Sequence, residues 1–180
     1  MKNFLKKLFT IILFAGVYFV LERYVKIPTA FKFIPFSYAH PTVNFASVIN
    51  GPFVGAISSG LGELLTMIGK ESIDWPAVFC ALLNCASIGF SMAKNKISDG
   101  FFFRKEQLRF AVSQMISNIG CWAVLYPILS RIFLHTDFQS AFNYGFGKAI
   151  GMSITNLIAG TLFLSLYART RISAGNFYRS

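Results

Sequence analysis

The sequence predicts an all-α membrane protein, a bundle of six transmembrane helices with a proline-rich outer cap loop after helix 1. The first observation is the segment 8–21, in which Thr10 is the one hydrophilic side chain and after which about five similar apolar runs follow. The second is the composition, with 54% hydrophobic and only 13% charged residues. A bilayer core about 30 Å thick is crossed by about 20 apolar residues in a helix, and soluble domains seldom contain so many such runs.

The individual helices follow from these runs and from the residues that interrupt them. Gly51-Pro52 separates the second run from the third. Trp75-Pro76 gives the fourth helix an interfacial tryptophan and a proline at its start. The predicted helices cover residues 4–24, 42–50, 52–68, 76–92, 106–133 and 144–168, with loops at 93–105 and 134–143.

The segment 25–41 differs from the helices on either side of it. It contains three prolines and five aromatic or imidazole side chains. Proline breaks a regular helix because it lacks the backbone N–H, yet the segment is too apolar for a solvated loop. We therefore expect it to fold back as a cap over the outer end of the bundle. Six helices leave no room for a soluble domain, so residues 1–180 are predicted to form a single integral-membrane domain.

The distribution of basic residues predicts the orientation. Lysine and arginine number 17 and the net charge is +10, which in a soluble protein would suggest nucleic acid as a partner. Here the basic residues flank the apolar runs instead. Eleven of them fall at the end that carries both termini and five at the other end. The positive-inside rule therefore predicts cytoplasmic termini, with no nucleic acid bound.

Two ionisable side chains lie inside predicted helices, Glu63 in the third and Lys148 in the sixth. A charge at the centre of a membrane helix costs at least about 2.5–3.5 kcal/mol, so such residues face the bundle interior or a cavity. With cytoplasmic termini, both lie in the outer half of the membrane. They either pair with each other or contact a polar ligand, and the sequence leaves both readings open.

Aromatic and polar groups are predicted at the same outer level. Asn118, Trp122 and Tyr126 are spaced four apart on one face of the fifth helix, and Tyr144 precedes Lys148 by one turn. An aromatic pocket with a few polar groups is typical of small-molecule sites. The predicted substrate-binding residues are Phe36, Tyr38, Glu63, Trp75, Asn118, Trp122, Tyr126, Tyr144 and Lys148.

The sequence contains little evidence of catalytic or metal-binding residues. The three cysteines lie inside apolar runs without a CxxC spacing, and His40 and His135 fall in predicted outer loops without a partner at metal-ligand spacing. No HExxH run is present. We expect no catalytic residues, no metal and no cofactor. A small polytopic membrane enzyme and a stand-alone secondary carrier are the alternatives, although the two halves show no inverted repeat.

Several motifs together resemble a known family. They are IPT at 27–29, NGPFVGA at 50–56, Trp75 and LYARTR at 166–171. The chain is similar over essentially its whole length to the substrate-binding (S) components of energy-coupling factor (ECF) transporters, which import vitamins in prokaryotes. Within these proteins it most resembles the group named riboflavin-type.

The resemblance implies a multi-pass subunit of the prokaryotic plasma membrane that binds a vitamin and has no enzymatic activity of its own. It implies an outer pocket closed by the loop after helix 1, and as partners a membrane coupling subunit and two cytoplasmic ATPases. The family's helix 1 carries small residues that dock on the coupling subunit. Here only Ala15 and Gly16 are small, flanked by Ile11 and Phe19. Riboflavin, cobalamin, a thiamine precursor and a queuosine precursor all remain open as ligands.

Overall fold

The computed structural model describes residues 2–25, 36–94, 97–100 and 102–177, which form six helices and a short 3-10 turn without any β-strand. The all-α prediction is therefore confirmed. The helices are α1 (Lys2–Tyr24), α2 (Ala39–Asn50), α3 (Pro52–Thr66), α4 (Trp75–Met92), α5 (Arg104–Asn118, π-helical Ile119–Leu125 and Tyr126–Phe133) and α6 (Phe138–Thr155, π-helical Asn156–Gly160 and Thr161–Phe177).

Four of the described helices, α1, α4, α5 and α6, are long and apolar enough to cross a membrane. Helices α2 and α3 have 12 and 15 residues, which is less than the roughly 20 that a full crossing requires. They form a tight hairpin in which α2 is largely buried and α3 packs against α1 and α4. The sequence-based prediction of six complete spans therefore stays a prediction.

Contacts between neighbouring helices show that successive helices alternate in direction. Asp74 at the start of α4 meets Tyr126 of α5, whereas Asn84, farther along α4, meets Asn118, which comes earlier in α5. In contrast, α1 and α3 run parallel, since Tyr18 contacts Glu63 and a later residue of α1 contacts Thr66. Consequently α1, α3 and α5 finish where α2, α4 and α6 begin. We call this the Asp74 end, and the opposite end, with Lys7 and Arg104, the basic end.

Glycines allow the helices to approach closely at the hairpin. Gly51, with φ of 102°, joins α2 to α3 in a backbone conformation that other residues rarely adopt. A Cβ placed on Gly55 would overlap the backbone of Ser47 on α2, and one on Gly62 would overlap the Tyr18 side chain of α1. The small residues of α3 thus serve as contact points for two different helices.

Three predicted boundaries differ from the structure by three residues or more. The last helix, α6, continues to Phe177 rather than ending at 168. The other two errors come from signals at helix starts. α2 begins at Ala39 rather than at 42, because Pro41 lies in its first turn, where a missing N–H costs no hydrogen bond. α6 begins at Phe138 rather than at 144, because the Asp137 side chain accepts a hydrogen bond from the Ser140 N–H at 2.9 Å and caps the helix. Hydrogen bonds from the Ser140 backbone and hydroxyl also lower the pKa of Asp137.

The predicted cap falls mostly outside the described residues. Of the segment 25–41, residues 26–35 are not described. The described part supplies Phe36, Ser37 and Tyr38, after which α2 begins. The Ser37 hydroxyl donates a hydrogen bond to the Glu22 carboxylate. This contact connects residues 36–38, the approach to α2, with the end of α1.

Candidate functional site

The site is built around one buried ion pair. The Lys148 ammonium of α6 lies 2.9 Å from Oε1 of Glu63 on α3, and the two side chains are 5% and 6% exposed. Removing either charge from water costs several kcal/mol, so each must be neutralised by the other. The structure therefore pairs the two residues that the sequence places at the same depth.

Tyr18 and His40 complete the surroundings of the carboxylate. The Tyr18 hydroxyl donates to Oε2 of Glu63 and lies 3.1 Å from Nε2 of His40. Both oxygens of Glu63 are thus occupied by protein donors. His40 was expected in an outer loop, but it lies in the first turn of α2 and is buried. The sequence analysis did not single out Tyr18. A phenol in an otherwise apolar helix that runs parallel to α3 is the signal that could have identified it.

Aromatic rings surround the Lys148 ammonium. Its Nζ lies 3.8 Å from the centroid of the Trp122 ring and 5.9 Å from that of Tyr144. A cation over an aromatic face is attracted to the ring's negative quadrupole, most strongly for tryptophan. Tyr126 packs between the two rings, at 5.8 Å from Trp122 and 5.3 Å from Tyr144. The Glu63 carboxylate and the faces of the aromatic rings therefore together stabilise the positive charge of Lys148.

Asp74 links this cluster to the start of α4. The Tyr126 hydroxyl donates a hydrogen bond to Oδ2 of Asp74 at 2.9 Å. Oδ1 of Asp74 accepts a hydrogen bond from the Ala77 N–H at 3.0 Å and so caps α4. The sequence analysis did not single out Asp74. An aspartate directly before Trp75-Pro76 is an N-cap signal that could have found it.

A cavity of about 460 Å³ opens beside the ion pair at the Asp74 end. This volume lies within the roughly 300–1,000 Å³ of small-molecule sites. The residues that line it come from α1, α3, the turn after α3, and α6. They are Glu22, Arg23, Glu63, Thr66, Lys70, Tyr144 and Lys148.

The other predicted site residues lie apart from this cavity. Trp122 is fully buried behind Lys148. Asn118 lies one turn deeper, where it accepts a hydrogen bond from Asn84 at 2.6 Å and donates one to Ser153 at 3.1 Å. Trp75 is 49% exposed at the start of α4. Tyr38 is exposed and Phe36 half-buried, both on the approach to α2.

The two small residues of α1 point in different directions. Ala15 is buried, 3% exposed. Gly16 lines an apolar groove on the outside of α1 with Ile12, Val17 and Val20. Within the described segments, no three histidine, cysteine or acidic side chains come together as they would around a metal ion.

Comparison with known proteins agrees with this architecture. Residues 2–169 match the family described as "ECF-type riboflavin transporter, S component". Staphylococcus aureus strains JH9 and N315 each have a relative, called only a UPF0397 protein, that is 30% identical over 165 residues, or 90% of this chain and 89% of the relative.

The fold is also similar to that of a solved protein. The structure reported under "Structure and mechanism of the S component of a bacterial ECF transporter" aligns over 100% of both chains, with a TM-score of 0.52 and 20% identity. At this identity the likeness concerns the fold alone, whereas the family match covers nearly the whole sequence. The chain therefore belongs to the ECF-type riboflavin transporter S component family and is a substrate-binding subunit of a membrane transporter rather than an enzyme.

Proposed function

We propose that this subunit binds a flavin-sized heteroaromatic vitamin, riboflavin first among them, in the cavity at the Asp74 end. The observation that carries the proposal is a buried Lys148–Glu63 pair at the edge of a cavity of about 460 Å³. The family description names riboflavin. A corrinoid such as cobalamin would need a larger site, so a cavity of about 460 Å³ favours the smaller ligands. Thiamine and queuosine precursors are the second candidates.

The cavity offers a ligand both ring contacts and polar contacts. Tyr144 is 48% exposed and presents its ring to the cavity. Glu63 and Lys148 give one wall of the cavity a charged, hydrogen-bonded edge, which suits a ring that carries both N–H and C=O groups, as the flavin imide does. Trp122 holds Lys148 from behind rather than stacking on the ligand. We infer that Phe36, Tyr38 and Trp75 also contact the ligand, once ligand binding moves the approach to α2 (residues 36–38) over the cavity.

Binding can be tested on the purified chain. Mass spectrometry of co-purified small molecules identifies the native ligand, and quenching of flavin fluorescence measures riboflavin affinity directly. We expect riboflavin to bind saturably, and we expect that a tenfold excess of thiamine or cobalamin does not displace it. A co-purified corrinoid, or failure of riboflavin to bind a monodisperse preparation, would contradict the proposed ligand.

Transport is proposed to require a membrane coupling subunit and two cytoplasmic ATPases. This proposal is supported by the match to the S components of ECF-type transporters, and the described residues are helices of the bundle and their connections. Proteoliposomes that contain the chain alone should show no uptake and no ATP hydrolysis, and adding the partner subunits with ATP should restore uptake. Uptake by the chain alone would support the stand-alone carrier.

The Gly16 side of α1 is the proposed contact with the coupling subunit. Gly16 has open space around its Cα, and its neighbours on this face are exposed apolar side chains. Gly16→Phe should therefore impair assembly of the complex while ligand affinity is retained. Ala15→Phe should instead disturb the bundle, because Ala15 is buried.

A further inference from the structure

A second groove lies at the opposite end of the bundle from the proposed ligand site. It has a volume of about 340 Å³ and runs between α1 and the α2–α3 hairpin. Leu8 and Ile11 of α1 form one wall, and Phe53 and Ile57 of α3 form the other. Since α1 and α3 run parallel, the groove follows the helix axes, which is also the direction of lipid chains beside a membrane helix.

Near the turn of the hairpin, two polar side chains join the apolar lining of this groove, beside Phe4 of α1. Lys7 lines it together with Asn50, which lies at the turn of the hairpin, and both are exposed. No ion pair with a carboxylate holds Lys7 in the described part of the chain. Ile11 lies one helical turn, about 6 Å, farther along α1. The groove therefore has an ammonium and an amide near the hairpin turn and apolar walls that continue along α1 and α3.

We propose that this groove binds one anionic glycerophospholipid, with its phosphate at Lys7 and Asn50 and an acyl chain along Leu8, Ile11 and Ile57. Charge selects the headgroup: a zwitterionic lipid adds its own ammonium to an end already rich in basic residues, whereas an anionic lipid does not. This inference is independent of the vitamin ligand.

Native mass spectrometry of the delipidated chain tests the proposal. The chain is incubated with equal amounts of phosphatidylglycerol and phosphatidylcholine with identical acyl chains. One basic residue near a membrane surface changes anionic-lipid affinity about fivefold, so retained phosphatidylglycerol should exceed phosphatidylcholine by at least that factor. Lys7→Gln should remove the preference and Lys7→Arg should keep it. Lys94→Gln, at the same end but away from the groove, is the matched control.

The remaining outcomes separate a specific groove from a general charge effect. Ile57→Trp should fill the channel and reduce binding of both lipids, and glycerol phosphate without chains should not bind. Equal retention of the two lipids by the unaltered chain would overturn the proposal. A preference that Lys94→Gln reduces as much as Lys7→Gln would do the same, because it would show diffuse attraction at the basic end. Loss of complex assembly in Lys7→Gln with unchanged lipid retention would assign the groove to a protein partner instead.

Discussion

Glu63 is the residue on which the site depends, because four elements of the bundle converge on it. It lies on α3, Lys148 on α6 and Tyr18 on α1, and Tyr18 in turn contacts His40 of α2. A buried carboxylate is tolerated only when opposite charge and hydrogen-bond donors surround it. Glu63 therefore joins the helices and also sets the polarity of the adjoining cavity.

A double-mutant cycle tests whether Glu63 and Lys148 stabilise the bundle through a direct interaction. Glu63→Gln and Lys148→Met each leave one buried charge without its partner, a change that costs about 3–5 kcal/mol in other proteins. We expect both single variants to melt at lower temperature in detergent and the double variant to recover part of the loss. Additive losses in the double variant would contradict a direct interaction.

Tyr144 is predicted to be the aromatic contact of the ligand. It lines the cavity, whereas Trp122 is buried behind Lys148. Loss of a ring that stacks on a base costs about 1–3 kcal/mol at nucleic-acid sites, so Tyr144→Leu should weaken ligand binding roughly 5- to 150-fold. Titration calorimetry measures the change, with Tyr24→Leu as the matched control outside the cavity. Equal affinities for Tyr144→Leu and the unaltered chain would exclude this contact.

Trp122 is expected to act through Lys148. A desolvated cation–π contact contributes about 2 kcal/mol, and tryptophan provides the most favourable ring. Trp122→Phe should therefore lower the melting temperature, and Trp122→Leu should lower it further. Trp75→Leu should have little effect, because Trp75 is half exposed and is not among the residues that line the cavity. Comparable melting of all three variants would indicate that the ring face contributes nothing to Lys148.

At the scale of elements, the α2–α3 hairpin decides where the site lies. The hairpin is short, and its close approach brings the start of α2, with His40, to the same level as Glu63 near the end of α3. Gly55 makes that approach close, since a side chain there would meet the Ser47 backbone. Backbone cannot move aside as a flexible side chain can, so the hairpin tolerates only glycine at this point.

Gly55→Ala should consequently destabilise the protein. Overpacking in a close-packed interior costs about 1–3 kcal/mol, and the larger part of that range is expected here. Gly120→Ala provides the control, because a Cβ at Gly120 meets nothing within 4 Å. Thermal melts of the two variants should differ, with Gly120→Ala close to the unaltered chain. A Gly55→Ala protein as stable as Gly120→Ala would mean that the hairpin is less tightly packed than the contacts indicate.

At the scale of the whole molecule, the two ends of the bundle have different chemistry. The Asp74 end holds the ion pair, the aromatic cluster and the larger polar cavity. The basic end holds the N-terminal lysines and the arginines at the start of α5. The positive-inside rule places the basic end in the cytoplasm, so we propose that the ligand enters from outside.

Cysteine labelling of intact cells tests this orientation. Single cysteines at Glu71 or Asp137, both at the Asp74 end, should react with a membrane-impermeant reagent added from outside. A cysteine at Lys94, at the basic end, should be protected until the cells are opened. Cys80, Cys85 and Cys121 are buried and should give a low background. The opposite labelling pattern would invert the proposed orientation and put the cavity on the cytoplasmic side.

The sequence by itself determined the class of the protein, the number of helices and the common depth of two intramembrane charges. Apolar runs of membrane length and flanking basic residues are local properties, so Glu63 and Lys148 could be placed at one depth without a structure. Helix boundaries were less accurate where a single residue, such as Asp137, determines the start.

Only the tertiary structure decided what surrounds that pair. Tyr18 and His40 reach Glu63 because α1 and α2 pack beside α3, and no local pattern specifies which helices become neighbours. The same packing buries Trp122 and leaves Tyr144 at the cavity, although the sequence predicts both aromatic residues at the same outer level. Side-chain roles depend on contacts between distant segments, and those contacts arise only when the close-packed bundle forms.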